Sequence, residues 1–392
     1  MSVEFDQRAR DLAGHYRHFR VSERLLLTGH SHQAWPDIAL DGQREAFEVA
    51  ARDVDAKWGV AFAKTEVLRS YLRDYYDDPD GLYSFSSSTH DLLVRWLSSF
   101  DLAAKPRIIT TDGEFHAMRR QLRRLAEEGL DVVFIEAEPQ RGFTERLRAA
   151  LDERTSAVCL SRVYFKTGLI QPELSQIAVL CREAGVPLLI DDYHGTNVVP
   201  LSLRDAGLEE CFLVGGGYKY LQWGEGNCFL RFPASCTLRP VITGWFSSFS
   251  TLEDPRSDAP VAFDEGDGRF VGATYDPTSQ FRAARVVEFF REQGLTPEVL
   301  REHSLAQLGW LRARFEELKF DPADIRLMHE RSLTESGGFL ALRSERARAL
   351  REALFARGVY TDARDDTLRF GPAPYTTLKQ LSAALDHLKA VV

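Results

Sequence analysis

The sequence predicts an α/β fold: a mostly parallel central sheet with helices on both faces, plus a small C-terminal α/β domain. Three observations carry this reading. From about Leu92 onward, short apolar runs alternate with amphipathic stretches, which is the pattern of strands buried on both faces and crossed over by helices. The alternation stops near Phe263, in a stretch rich in glycine and turn residues. A second, smaller set of helix and strand patterns follows. The 392 residues suffice for one large and one small domain. The expected divisions are an N-terminal segment, 1–55, on the substrate-pocket and small-domain side; a large domain, 56–293; and a small domain, 294–392.

Taken in order, RIITT (107–111), DVVFIEA (131–137), SAVCLS (156–161), PLLIDD (187–192) and CFLVGG (211–216) read as strands. EFHAMRRQLRRLAEEG, GFTERLRAALDE and QPELSQIAVLCREAG read as the helices between them. GDGRFVGATYDPTS reads as a long connection, and FRAARVVEFFREQG as a helix that stops at a C-cap glycine, Gly294. The helix TPEVLREHSLAQLGWLRARFEEL, the strand GGFLALR, the helix ERARALREALFARG, the strand DTLRF and a last amphipathic helix build the small domain.

Bulk composition narrows the class of function. Hydrophobic content of 44% beside 27% charged residues is that of a globular protein with a full core. A net charge of −9 argues against a nucleic-acid partner, which calls for a basic excess. No segment has the length and apolarity of a membrane span or of a signal peptide. Cys159, Cys181, Cys211, Cys228 and Cys236 are scattered without CxxC pairs, so reduced thiols and a cytoplasmic location are expected. His30, His32, His90 and His116 show no HxxxH spacing with a third carboxylate nearby, so no metal is expected.

Ligands of open α/β sheets gather at the carboxyl ends of strands, and four polar groups fall there. Asp191 and Asp192 follow PLLI; Ser86, Ser87 and Ser88 precede the helix THDLLVRWLSSF; Phe115 and His116 open a helix after a strand; Lys219 follows CFLVGGGY. Pyridoxal 5'-phosphate asks for all of them: an amine to bind its aldehyde, a carboxylate beside its pyridine nitrogen, an anion site and a flat apolar wall. Ser87 and Ser88 suit the phosphate, because short hydroxyls and helix N-terminal N–H groups bind anions. Each residue also has an ordinary role: Lys219 as a solvated turn lysine, Asp191 as a turn cap, the serines as an N-cap, Phe115 as core. Order and spacing together favour the chemical reading.

These motifs resemble the fold-type-I pyridoxal-phosphate enzymes of the aminotransferase class V group, and within it kynureninase. DDYH matches the family's Asp-x-x-His, which makes Asp191 the partner of the pyridine nitrogen and places His194 on the same cofactor loop. YKYL matches the segment whose lysine, Lys219, attaches the cofactor and whose tyrosine, Tyr218, reaches the phosphate. GWF and GATYDP imply phosphate contacts from Trp245 and Thr274, in the family usually from the neighbouring subunit. GVYTDARDDTLRFGPAPYTT makes Arg369 the clamp for a substrate α-carboxylate, a role suited to a bidentate guanidinium.

The resemblance implies the fold-type-I fold, a homodimer with its active site at the interface, and an amino-acid substrate. It also implies catalytic roles for Lys219, Asp191 and Tyr218. TGHSHQAWP (28–36) follows the family's N-terminal motif loosely and brings His30 and Ser31 to the substrate side. His116-Ala117-Met118 stands where kynureninases often carry Pro-x-Asp. The implied reaction is hydrolytic Cβ–Cγ cleavage of kynurenine or a related amino acid. Transamination, β-elimination and epimerisation are the alternatives on the same cofactor, and a non-catalytic binding module is the alternative of another class.

Overall fold

The computed structural model describes residues 3–251 and 259–392. Its strands are β1 (Leu25–Leu26), β2 (Leu82–Ser86), β3 (Arg107–Thr111), β4 (Asp131–Ile135), β5 (Thr155–Ser161), β6 (Leu188–Asp191), β7 (Phe212–Gly216), β8 (Cys228–Phe232), β9 (Arg326–Leu327), β10 (Leu340–Arg343), β11 (Val359–Tyr360), β12 (Asp362–Arg364) and β13 (Thr367–Phe370). The helices are α1 (Val3–Ala13), α2 (Ile38–Asp53), α3 (Lys57–Tyr76), α4 (Thr89–Leu97), α5 (His116–Glu127), α6 (Phe143–Ala150), α7 (Leu174–Glu183), α8 (Thr278–Glu292), α9 (Pro297–Glu317), α10 (Ala347–Ala356) and α11 (Leu378–Lys389).

Seven strands form the main sheet in the order β2-β8-β7-β6-β5-β3-β4. Their pairings are parallel except where β8 runs against β7 and β2. All seven residues of β5 are buried, because the sheet has a core on each side. Val158 and Leu160 enter one apolar cluster, while the alternate Ala157 and Cys159 enter another. A period of two thus explains why parallel strands read as unbroken apolar runs. Of the seven strands read from sequence, five are β3 to β7 in this sheet and two are β10 and β13. The run CFLRF is also a strand, β8, and it is reversed because the eleven residues after β7 make turns and no crossover helix.

The smaller sheet is antiparallel, β12-β13-β10-β9, and packs with α9, α10 and α11 around Leu311, Leu342, Leu354, Leu368 and Leu385. Thr296 caps α9 ahead of Pro297, and Thr377 with Gln380 forms a capping box on α11. The N-terminal stretch reaches both bodies: β1 pairs in parallel with β11, Thr28 bridges Gly371, and α2 lies along α8. Residues 259–277 carry no strand or α-helix, as their glycines foretell. Helix α8 starts at Thr278, three residues before the apolar pattern, and is closed by Gly294 in the left-handed region at φ 58°. Among the described residues no helix is long and apolar enough to cross a membrane.

Candidate active site

The carboxyl ends of β3, β5, β6 and β7 open onto one cavity, the position where open α/β sheets hold ligands. Five of the residues singled out from sequence line it: Phe115, Asp191, His194, Tyr218 and Lys219. Lys219 lies three residues past β7 and is only 4% exposed. Its Nζ is 2.8 Å from His194 Nε2 and 4.3 Å from the centre of the Tyr193 ring, with the Phe115 ring at 5.3 Å. The glycines before it make room. A Cβ on Gly216 would stand 2.4 Å from the Tyr193 ring, so the strand and this tyrosine can meet only if that position has no side chain.

Asp191 ends β6 and accepts a hydrogen bond from Tyr193 N at 2.9 Å. Burial pushes the Asp191 carboxyl up and the Lys219 amine down, while the charge of each pulls the other back. The two groups are therefore electrostatically joined across the cavity. His194 is held neutral, by burial first and then by the positive charge of Lys219. Its Nδ1 is buried with no hydrogen-bond partner. Tyr218 stacks on His32, ring centres 4.7 Å apart, and burial pushes its phenol up to about 12.

The anion site differs in detail from the sequence reading. Ser87 is exposed and its hydroxyl donates to Asp91; Ser88 is the N-cap of α4 and accepts from Asp91 N at 3.1 Å. Neither lines the cavity, whereas Thr89, the first residue of α4, does. Both hydroxyls are taken up by Asp91, in the first turn of the helix: its carboxylate accepts from Ser87 and its backbone N–H donates to Ser88. Trp245 and Thr274 are exposed and outside the cavity. Phe246 N donates to Gly272 O at 3.1 Å, which ties their two segments together.

On the substrate side Arg369 is buried and does not line the cavity itself. Its Nε and Nη2 both donate to Asp362 Oδ1 at 2.6 Å and its Nη1 donates to the carbonyl of Phe165, a lining residue. His30 is fully buried against Phe339, ring centres 4.7 Å apart. Ser31 points away, donating to Thr28 O at 3.2 Å. Sequence reading missed Thr89, Tyr193, Ser161, Phe165 and Asp362. Asp362 had a signal, since it stands within the C-terminal motif itself, but Phe165 and Ser161 come together with the rest only through strand order.

The residues present fit pyridoxal phosphate. A buried amine and a half-buried carboxylate line one cavity with Phe115, an imidazole with an unpartnered nitrogen, and a helix N-terminus at Thr89 for the phosphate. Residues 83–221 match the aminotransferase class-V family and residues 300–388 match the kynureninase C-terminal domain. The chain is 28% identical over 266 residues to kynureninase from Pseudomonas fluorescens, covering 64% of this chain and 62% of that protein. It is 24% identical over 347 residues to the uncharacterized aminotransferase YcbU of Bacillus subtilis, covering 85% of each. Its fold matches a solved mutant of C-DES with glycine covalently linked to the cofactor, at TM-score 0.82, 18% identity and coverage of 96% and 98%.

The chain has the fold of the solved pyridoxal-phosphate proteins it matches, and its residues 83–221 are similar to the aminotransferase class-V family. Its C-terminal part is similar to that of kynureninase, and pyridoxal 5'-phosphate is the cofactor that its site residues fit.

Proposed function

We propose that this pyridoxal-phosphate enzyme acts on an amino acid as a kynureninase-like hydrolase, cleaving a Cβ–Cγ bond of kynurenine or a close relative. One observation carries the reading: the Lys219 amine, 2.8 Å from neutral His194, shares an aromatic-walled cavity with the Asp191 carboxylate. When bound, the cofactor supplies an electron-withdrawing ring that takes up negative charge developing at the substrate Cα. Lys219 holds the cofactor and then moves the proton at Cα; burial keeps its amine partly neutral for that task. Asp191 holds the ring nitrogen. His194 and Tyr218 line the same cavity as cofactor contacts. The Tyr218 phenol, protonated across the physiological range, gives and takes the proton on the γ side. Arg369 holds the α-carboxylate. Phe165 and Phe339, with ring centres 6.0 and 5.4 Å from the guanidinium carbon, furnish apolar walls.

The homodimer belongs to the proposal too. Trp245 and Thr274 lie on the surface outside this chain's cavity, which supports phosphate contacts in the cavity of a partner. The five thiols form no disulfide, which supports cytoplasmic residence. Persulfide chemistry is disfavoured: none of the cysteines lines the cavity, and burial pushes the thiol of Cys228, the one packed nearest Tyr193, up to about 11. A second reading, β-elimination or transamination, is favoured by one feature: Ala117 and Met118 line the cavity where kynureninases often carry Pro-x-Asp. The test is incubation with L-kynurenine, 3-hydroxykynurenine and common amino acids. Anthranilate or its hydroxy form with alanine supports the hydrolase; pyruvate or a keto acid with no aryl acid replaces it by the second reading. The visible band of the loaded protein should vanish on borohydride treatment and be missing in Lys219→Ala; persistence in that variant moves the attachment to another lysine.

A further inference from the structure

The neighbourhood of Arg369 holds two groups that the proposed reaction leaves unused. Strands β12 and β13 pair antiparallel with Asp362 directly opposite Arg369, so both side chains leave the hairpin on one face. Arg369 is 2% exposed, and a lone guanidinium there carries a heavy desolvation cost. Asp362 offsets it by accepting from Nε and Nη2 through one oxygen, each at 2.6 Å. Counting the Nη1 bond to Phe165 O, three of the five N–H donors are engaged and two remain.

The third member arrives from the other end of the chain. Gly371 N donates to Leu27 O at 2.8 Å and Gly29 N to Gly371 O at 2.7 Å, which lays the N-terminal stretch beside the end of β13. His30 then places Nε2 3.4 Å from Asp362 Oδ1. A Cβ on Gly371 would stand 2.2 Å from His30 Nδ1, so this backbone approach depends on glycine. Burial, and next the charge of Arg369, lower the His30 imidazole to about 4. It is therefore a neutral donor that braces the carboxylate and adds no competing cation. Burial raises the Asp362 carboxyl, but His30 and Arg369 outweigh it and hold it well below the usual carboxylate range.

We propose that Asp362, braced by His30, is a positioning residue: it fixes the plane of the Arg369 guanidinium so that its two remaining N–H donors meet a substrate α-carboxylate. The proposal rests on the reading of Arg369 as that clamp. It makes Asp362 the device that sets where the amino acid stands, through a side chain that does not touch the substrate.

The experiment uses the cofactor-loaded protein with L-alanine and L-alaninamide as probes, which differ only in the carboxylate. Binding is read at equilibrium from the visible spectrum, with thermal stability measured in parallel. The wild type should prefer alanine, and Arg369→Ala should abolish the preference. Asp362→Ala should lower it by about tenfold or more, the scale of a lost charged hydrogen bond. Asp362→Asn, which keeps an acceptor and the shape, should fall between, and decides the matter if the alanine variant does not fold. The double variant should be no worse than Arg369→Ala alone, because the two residues act through one guanidinium. If the Asp362 variants lose stability yet keep the full preference, Asp362 is a counter-ion only and the proposal is wrong. If Arg369→Ala itself keeps the preference, the clamp reading fails first, and that outcome is distinguishable.

Discussion

Lys219 shows at the scale of one residue how an amine becomes reactive. Enclosed by the rings of Tyr193 and Phe115 and next to neutral His194, its ammonium form has lost most of its hydration. Burial lowers its pKa from the ordinary lysine value, while the negative charge of Asp191 resists the shift. A neutral amine is the nucleophile, so capture of pyridoxal phosphate by the apoprotein should speed up with pH and level off well short of about 10.4, the ordinary lysine value. Asp191→Asn removes the charge that favours the ammonium, so its plateau should begin at lower pH. Stopped-flow absorbance measures both. A rate still climbing through pH ~10 in the wild type means the amine behaves as an ordinary lysine.

Lys219, Asp191 and Phe115 were readable because each follows an apolar run, and a strand end is a local property of the chain. Thr89 was within reach, one residue past the serines, but Ser87 is seated by the Asp91 carboxylate and Ser88 is occupied as the N-cap of α4. Ser31 was misplaced for a similar reason, since the Thr28 carbonyl claims its hydroxyl. Tyr193, Ser161 and Phe165 gain their roles from neighbouring strands, which a reading of one segment at a time does not reveal.

At the scale of elements, the joint between β3 and α5 sets the aromatic wall. Glu114, directly before Phe115, is buried and accepts from Thr111 Oγ1, from Ser161 N at 3.1 Å and from Ser161 Oγ at 2.6 Å. It thereby ties the end of β3 to the end of β5, whose Ser161 pairs in register with Asp191. Burial pushes the Glu114 carboxyl up to about 7, against its hydrogen bonds, and the charge of Asp191 adds to the rise. A folded-state pKa above the unfolded one means stability that is full below the unfolded value, about 4.3, and lost as pH rises through about 7. Glu114→Gln has no such proton to lose. Between pH 5 and 8 the wild-type apoprotein should therefore lose melting temperature relative to this variant. A constant difference across that range would show that Glu114 titrates as an ordinary carboxylate.

The elements themselves were mostly legible. Alternating apolar and amphipathic runs mark β3 to β7 and the helices between them, because burial on both faces leaves a strong periodic signal. The two-residue strands β1, β9 and β11 were not, since so short a pairing is dictated by its partner strand and leaves no pattern of its own. The reversed β8 carries an apolar run like its neighbours; only the missing crossover helix tells its direction.

For the whole molecule the decisive question is whether one chain completes its own site. Trp245 is 44% exposed, with Val241 at 82%, Ile242 at 49% and Val261 at 62% along the same connection, an apolar surface of the kind that a second copy covers. The segment is held in place from behind: Ile242 N donates to Ser98 Oγ at 3.0 Å, and Phe246 N to Gly272 O at 3.1 Å. Its outward residues are thus presented on a fixed support. If Trp245 serves the cavity of a partner, two damaged chains should repair each other. Lys219→Ala destroys the site of its own chain, while Trp245→Ala weakens the site of the other. In a mixed dimer one site inherits both defects and the second inherits neither. Random reassortment of equal amounts makes half the dimers mixed, so about one quarter of all sites should recover wild-type cofactor retention and turnover. Sedimentation and mass measurement establish that mixed dimers form. With mixed dimers present and no recovery, Trp245 does not act across the interface, and each chain must bind its phosphate with its own residues.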